Sequence, residues 1–284
     1  MIKLENLVFR YHPKRPLFEQ LDLNIDRPGI VGLLGSNGAG KTTLLHILAG
    51  LRFPWAGECV VLGDAPRKRR LSWQQQVLFV PETIEMPGQT LQRWLKELTP
   101  FYPRFDQVLF ETILKEFEIE VPGKLNELSF GQQKKVMLAF ALAAQTKLLL
   151  LDEPSNGLDV FSKAQLRRIW TRHLPEDTLV IISTHQVREL GAQFDRVIMI
   201  DQGKVLFNQL MQTLNGLFSI QRSLEAPTAE AWYSEPVPGG YLALYASEEG
   251  DPETEIDLEI LMKAIVEKPE ILVHLQKKEM YAAQ

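Results

Sequence analysis

The chain has 284 residues, of which 45% are hydrophobic, so it can bury a core and form one large domain with an appendage or two small domains. Its formal net charge of -5 leaves no excess of positive charge to neutralise phosphates, and we predict no nucleic-acid partner. The single cysteine, Cys59, excludes an internal disulfide bond. The longest apolar run, residues 136–144, is far shorter than the ~20 residues that cross a bilayer, and the first residues do not resemble a signal peptide.

The first fifty residues predict strands that lead into a glycine-rich loop and a helix. Apolar and polar residues alternate at 2–5 and at 21–25, which predicts two half-buried strands. The continuous apolar segment 30–34 predicts a buried strand. Apolar residues at helical spacing within 41–49 predict a helix that ends near Gly50.

Residues 35–42, Gly-Ser-Asn-Gly-Ala-Gly-Lys-Thr, fit the phosphate-binding pattern G-x-x-x-x-G-K followed by Ser or Thr. Glycines let backbone N–H groups approach phosphates closely, and the positive end of the following helix points at the same anions. We expect Lys41 to contact the β and γ phosphates and Thr42 to give a hydroxyl ligand to Mg²⁺. The predicted nucleotide contacts are Gly35, Ser36, Asn37, Gly38, Ala39, Gly40, Lys41, Thr42 and Thr43.

Further apolar segments predict an α/β sheet whose two faces are both covered. These segments are residues 77–80, 148–151, 179–183 and 197–200.

Two regions depart from this strand pattern. Residues 87–135 predict an inserted, mostly helical subdomain, with helices at 91–98 and 107–117. Residues 208–284 contain prolines and glycines, followed by a helical pattern at 258–266, and we predict a small C-terminal appendage.

Two carboxylates, Asp152 and Glu153, directly follow the apolar segment 148–151. Ligands of doubly wound sheets bind outside the carboxyl ends of the strands. We therefore expect Asp152 to hold Mg²⁺, directly or through water, and Glu153 to act as the general base on an attacking water molecule.

Residues 128–132, Leu-Ser-Phe-Gly-Gln, open a long helical segment and predict a second anion site. Ser129 and the free N–H groups of the first helical turn can bind a phosphate. Because the glycine-rich loop already serves one nucleotide, this second site needs a phosphate from elsewhere.

With these motifs the chain resembles the ATP-binding subunits of ABC transporters, whose signature is LSGGQ, over residues 1–207. The resemblance implies an α/β P-loop NTPase core of ABC type with an antiparallel β subdomain, the helical insert and the appendage. It also implies that Ser129, Gly131 and Gln132 contact ATP. By the same resemblance, Tyr11 stacks on adenine and His185 contacts the γ-phosphate as a catalytic switch histidine, while residues 155–159 form the D-loop.

One position departs from the family pattern. Many members have Gln after the strand that precedes the helical insert, where this chain has Val80, Pro81 and Glu82. We expect the Glu82 carboxylate to bind Mg²⁺ or to order water. The Val-Pro-Glu form resembles the exporter (ABC-2-type) branch, in which the permease is a separate chain.

The resemblance implies ATP hydrolysis that powers transport, with ATP and Mg²⁺ as cofactors. Two ATP-binding subunits, identical or paralogous, would lie head to tail, with each ATP between Lys41 and Thr42 of one chain and Ser129 and Gly131 of the other. A transmembrane permease would contact the helical insert, which implies a cytoplasmic protein on the inner face of the cell membrane. One alternative stays open, a soluble ABC ATPase for macromolecular or cofactor assembly, of the iron–sulfur scaffold type. A nucleotide-responsive binding module with little hydrolysis is a further alternative, but the presence of Glu153 and His185 argues against it.

Overall fold

The computed structural model describes residues 1–228, 230–247 and 255–273. The strands are β1 (Ile2–His12), β2 (Arg15–Ile25), β3 (Gly29–Leu34), β4 (Ala56–Val61), β5 (Val77–Val80), β6 (Leu148–Asp152), β7 (Leu179–Ser183), β8 (Arg196–Asp201), β9 (Lys204–Leu210), β10 (Phe218–Ser223), β11 (Tyr233–Val237) and β12 (Gly240–Ala246). The α-helices are α1 (Lys41–Leu48), α2 (Leu71–Gln74), α3 (Leu91–Leu98), α4 (Gln107–Glu116), α5 (Phe130–Ala143), α6 (Val160–His173), α7 (Val187–Leu190), α8 (Met211–Leu217) and α9 (Leu258–Glu267).

A six-stranded sheet with the order β5-β6-β7-β3-β8-β9 forms the centre of the molecule. Its strands are parallel except β9, which pairs antiparallel with β8. Successive side chains of β6 belong to two different buried clusters, Leu148 and Leu150 to one and Leu149 and Leu151 to the other. Both faces of the sheet are therefore covered, as the continuous apolar strands predicted.

An antiparallel sheet with the order β2-β1-β4 covers one face of the central sheet together with α1. Phe18 of β2 is fully buried in the same cluster as Leu44 of α1 and Leu33 of β3. This contact brings the N-terminal hairpin beside the loop that joins β3 to α1, and it confirms the predicted α/β core with an antiparallel β subdomain.

The helical insert packs on α5 through aromatic side chains. The ring of Phe140 in α5 lies 5.0 Å from that of Trp94 in α3 and 5.2 Å from that of Phe105. Thr90 and Asp106 cap the first turns of α3 and α4 by accepting hydrogen bonds from backbone N–H groups. The two predicted insert helices are confirmed, with α4 ending one residue earlier than expected.

The C-terminal region contains strands as well as the predicted helix α9. Strand β9 crosses the predicted boundary between residues 207 and 208, and β10, β12 and β11 form an antiparallel sheet. These strands are half exposed, and Pro236 lies within β11, so their apolar pattern is weak. The first position of β12 requires glycine, because φ is 137° at Gly240 and a Cβ atom there would lie 2.0 Å from the carbonyl oxygen of Ser223. Within the described ranges, no helix has both the length and the apolar character needed to span a membrane.

Candidate functional site

The loop between β3 and α1 lies at the carboxyl end of the central strand. Gly40 has φ 107°, and a Cβ atom there would lie 2.7 Å from the ring of Phe18, so the fold requires glycine at this step. The Lys41 Nζ atom turns back over the loop and donates to the carbonyl oxygens of Gly35 at 2.8 Å and Ser36 at 3.1 Å. Burial lowers the pKa of Lys41 below its ordinary value, although Glu153 and Asp152 oppose the shift.

Thr42 and Asp152 bring two oxygen ligands together at the same edge of the sheet. The Thr42 hydroxyl donates to Asp152 Oδ2 at 2.8 Å, and the second carboxylate oxygen of Asp152 accepts a hydrogen bond from Ser183. Asp152 and Ser183 are paired in the register of β6 with β7, so the sheet itself holds the Ser183 hydroxyl group next to the Asp152 carboxylate.

Glu153 is buried and has an unusual backbone conformation, with φ 46°. Its Oε1 atom accepts a hydrogen bond from the backbone N–H of His185 at 3.1 Å and lies 2.7 Å from His185 Nδ1. Its Oε2 atom is buried and has no hydrogen-bond partner among the described residues. One carboxylate oxygen is thus anchored, and the other keeps its capacity to accept a hydrogen bond.

Tyr11 lies near the end of β1, on the other side of the loop. Its hydroxyl group is 2.9 Å from Thr43 Oγ1, and 52% of the residue is exposed. The Arg52 guanidinium carbon lies 5.0 Å from the centroid of the Tyr11 ring.

Most of these groups line one cavity, which has a volume of about 320 Å³. Its lining includes these predicted residues: Tyr11, Asn37, Gly38, Gly40, Lys41, Thr42, Thr43, Glu82, Asp152 and Glu153. The remaining predicted loop residues do not line it: Ser36 donates to Asp201 Oδ1 at 2.8 Å, Ala39 is buried and Gly35 accepts from Lys41. His185 reaches the cavity only through its contact with Glu153.

The predicted signature residues do not line this cavity. Ser129 caps α5, where its hydroxyl group accepts a hydrogen bond from Gln132 N at 3.3 Å and Gln132 Oε1 accepts one from Ser129 N at 2.9 Å. Both side chains are exposed, and Gly131 follows Ser129 in the first turn. The two predicted phosphate sites of this chain therefore belong to different parts of its surface.

Lys134 is a polar residue of this region that the sequence patterns did not single out. It is fully buried, and its Nζ atom donates to the carbonyl oxygens of Glu82 at 3.2 Å, Glu153 at 2.7 Å and Asn156 at 3.0 Å. Burial lowers its pKa to about 8, although the nearby carboxylates oppose this shift. Its place on the buried face was visible in the helical spacing, because Leu138 and Ala141 follow it by four and seven residues.

The donor set fits Mg²⁺, which prefers oxygen ligands and usually keeps water and phosphate oxygens as well. Thr42 and Asp152 supply two hard oxygen atoms next to the loop. The described residues hold no group of three or more His, Cys, Asp or Glu side chains suited to a metal, so the other ligands would come from phosphate and water. The Glu82 carboxylate lines the cavity, but its Oε1 atom accepts from Asn156 Nδ2 at 2.8 Å.

Comparison with known proteins identifies similar chains. The family model described as "ABC transporter" matches residues 18–156. An uncharacterized ABC transporter ATP-binding protein of Methanocaldococcus jannaschii is 32% identical over 209 residues, which are 72% of this chain and 76% of the relative. An aliphatic sulfonates import ATP-binding protein of Pseudomonas fluorescens is 36% identical over 67% of this chain and 70% of its own length.

A solved structure, described as the dimeric structure of a bacterial ABC transporter cassette, has a similar fold. It superposes with a TM-score of 0.62 at 26% sequence identity and covers 74% of this chain and 98% of its own.

Proposed function

The chain belongs to the ATP-binding subunits of ABC transporters, a family of ATPases, and we propose that it works in pairs to power an exporter whose permease is a separate chain. One observation carries the catalytic part of this proposal. Lys41, Thr42, Asp152 and Glu153 line one cavity, and the signature residues lie outside it.

Within the cavity each side chain has a distinct task. Lys41 would exchange its bonds to the loop carbonyls for phosphate oxygens, and the loop N–H groups would hold the same anion. Thr42 and Asp152 would hold Mg²⁺, which when bound neutralises charge on the phosphates. Glu153 Oε2 would accept a hydrogen bond from the attacking water and take its proton, while His185 keeps Oε1 in place.

The pairing of two chains follows from the position of the signature. Ser129 and the first turn of α5 form an exposed anion site that the cavity of the same chain does not use. A second chain, arranged head to tail, would bring its own Ser129 to the ATP held by Lys41. The cassette to which this chain is similar is described as dimeric, which supports pairing of two chains.

Export through a separate permease is supported by the Val80-Pro81-Glu82 form of the loop after β5. A sulfonate import protein is among the similar chains, so the direction of transport rests on this loop alone. The helical insert would contact the permease, which would hold the ATPase on the inner face of the cell membrane.

The catalytic part is tested with Glu153→Gln. We expect kcat for ATP hydrolysis to fall by roughly 10²–10⁴-fold with ATP affinity retained, because the amide cannot take the proton. Lys41→Ala should instead weaken ATP binding itself. Hydrolysis by Glu153→Gln at the parent rate would remove Glu153 from the role of base.

The transport part is tested by purifying the tagged chain from gently solubilised membranes of its native cell and identifying what co-purifies. A multispanning permease is the expected result, and direction can then be measured in vesicles that contain the complex. A soluble scaffold in place of a membrane protein would contradict the proposal and favour the assembly ATPase.

A further inference from the structure

Lys134 joins two segments that are far apart in the sequence, the loop after β5 and the loop after β6. Its Nζ atom reaches the carbonyl oxygen of Glu82 in the first loop and those of Glu153 and Asn156 in the second. An ammonium group has three N–H donors, so each donor has one carbonyl acceptor. A buried lysine is costly unless it is paired in this way, and its hydrogen bonds satisfy it here.

We propose that Lys134 is a positioning residue that sets the orientation of the Glu153 carboxylate for ATP hydrolysis. The inference rests on the role of Glu153 in the proposed function. Lys134 itself does not line the ATP cavity, so it acts through the backbone that it holds.

Glu153 is anchored at two opposite ends. Its carbonyl oxygen accepts from Lys134 Nζ at 2.7 Å, the shortest of the three lysine bonds, and from the backbone N–H of Asn156 at 3.1 Å. Its Oε1 atom is bound by His185. With φ at 46°, the backbone of Glu153 is in a conformation that non-glycine residues rarely adopt. Removing Lys134 leaves this carbonyl oxygen with only the longer bond from Asn156 N–H, and we expect the residue to relax and its Oε2 atom to change direction.

The same lysine ties Glu153 to the loop that carries Glu82. Asn156 Nδ2 donates to Glu82 Oε1 at 2.8 Å, and Asn156 Oδ1 accepts from Gln186 Nε2 at 3.1 Å. Lys134 Nζ donates to the backbone carbonyl oxygens of Glu82 and Asn156, the same two residues whose side chains are hydrogen-bonded to each other. Lys134 therefore connects the main chain of the Glu82 loop to that of Glu153.

The neighbouring Lys135 provides a matched control on the same helix. Its Nζ atom also binds protein groups, donating to the Phe117 carbonyl oxygen at 3.2 Å and to Gln165 Oε1 at 3.3 Å. These partners belong to the region of α4 and to α6 and do not line the ATP cavity. Loss of this lysine removes similar bonds without touching Glu153.

The experiment compares Lys134→Met, Lys134→Gln and Lys135→Met in the full chain, with thermal unfolding measured for each. For Lys134→Met we expect kcat to fall about 10- to 100-fold and KM for ATP to stay within about twofold, because a displaced carboxylate impairs the reaction and not the binding of phosphates. Lys134→Gln keeps part of the donor set and should lie between Lys134→Met and the parent. Lys135→Met should keep the parent kcat even where it unfolds more easily.

Three results would overturn the inference. The first is a Lys134→Met protein with the parent kcat. The second is an equal loss of kcat in Lys135→Met. The third is failure of both Lys134 variants to fold while Lys135→Met folds, which would make Lys134 a structural residue only. Inactivity of the parent chain itself would instead refute the proposed function. If the parent hydrolyses ATP and Glu153→Gln does not, the proposed role of Glu153 stands, and the Lys134 variants then test the further inference alone.

Discussion

Tyr11, which is predicted to stack on adenine, has three contacts that hold its ring. Its hydroxyl group lies 2.9 Å from Thr43 Oγ1, the Phe9 ring lies edge-on at 5.0 Å, and the Arg52 guanidinium carbon is 5.0 Å from its centroid. Half of the residue is nevertheless exposed. The ring is thus held by three contacts, and if it stacks on adenine as the resemblance implies, this would reduce the entropy that binding costs.

Replacing Tyr11 separates stacking from hydrogen bonding. Tyr11→Ala removes the ring, and because stacking of one base on an aromatic side chain contributes roughly 1–3 kcal/mol, we expect ATP affinity to fall about 5- to 150-fold. Tyr11→Phe keeps the ring and loses only the contact with Thr43, so its affinity should stay close to that of the parent. Calorimetric titration with ATP measures both, and equal affinities of the two variants would exclude stacking at this position.

Some residues of the candidate site could be predicted from the sequence, and others could not. Lys41, Thr42, Asp152 and Glu153 lie in local patterns, because a loop between a strand and a helix needs few distant contacts to define it. Lys134 could not be assigned in this way. Its three partners come from two loops, after β5 and after β6, and only the packed structure brings their carbonyl oxygens together around it.

The same contrast holds for whole elements. Strand β5 and helix α3 have the predicted bounds, because continuous apolar residues and helical spacing are strong in their sequences. Strands β10, β11 and β12 were not predicted. They pair with one another in a half-exposed sheet. Their apolar and polar residues do not alternate clearly, and a proline such as Pro236 in β11 argues against a strand when only the sequence is known.

Helices α4 and α6 are linked at their ends by charged side chains. Glu116 Oε1 accepts from Arg172 Nη1 at 3.1 Å and lies 2.8 Å from His173 Nε2. Burial raises the pKa of Glu116, but the hydrogen bonds from His173 and Arg172 outweigh this effect and leave the pKa below its ordinary value. A carboxyl group with a lowered pKa stabilises the folded state above the pKa of the unfolded chain, and this contribution is lost as pH falls through the folded value.

Glu116→Gln tests this link. At pH 7 we expect the free energy of unfolding to fall by up to ~1 kcal/mol, since the pair lies near the surface. The difference from the parent should shrink as pH falls from about 4.3, the ordinary pKa of glutamate, through the lowered pKa of Glu116 in the folded parent. Urea unfolding across this pH range measures it, with Glu120→Gln, at an exposed position, as the control. A difference that does not change with pH would contradict the electrostatic explanation.

At the scale of the whole molecule, the C-terminal region shares the core of the ATPase. Phe218 of β10, Leu244 of β12 and Leu261 of α9 belong to the same buried cluster as Val187 of α7, which follows closely after His185. The boundary that the sequence predicts at residue 207 stays a prediction. The packing shows that residues on both sides of it share one buried hydrophobic cluster. Removal of residues 218–284 would therefore expose apolar surface near His185.

The separation of the two phosphate sites on one chain predicts complementation between two chains. Lys41→Ala removes the loop lysine, and Ser129→Arg blocks the exposed cap of α5, so each variant alone should be inactive. In a mixed head-to-tail pair, the intact loop of one chain meets the intact signature of the other, which restores one of the two sites. An equimolar mixture, in which about half of the pairs are mixed, should then show about a quarter of the parent ATPase activity. Recovery measured against protein concentration would support the shared site, whereas a mixture as inactive as its components would mean that each chain uses only its own residues.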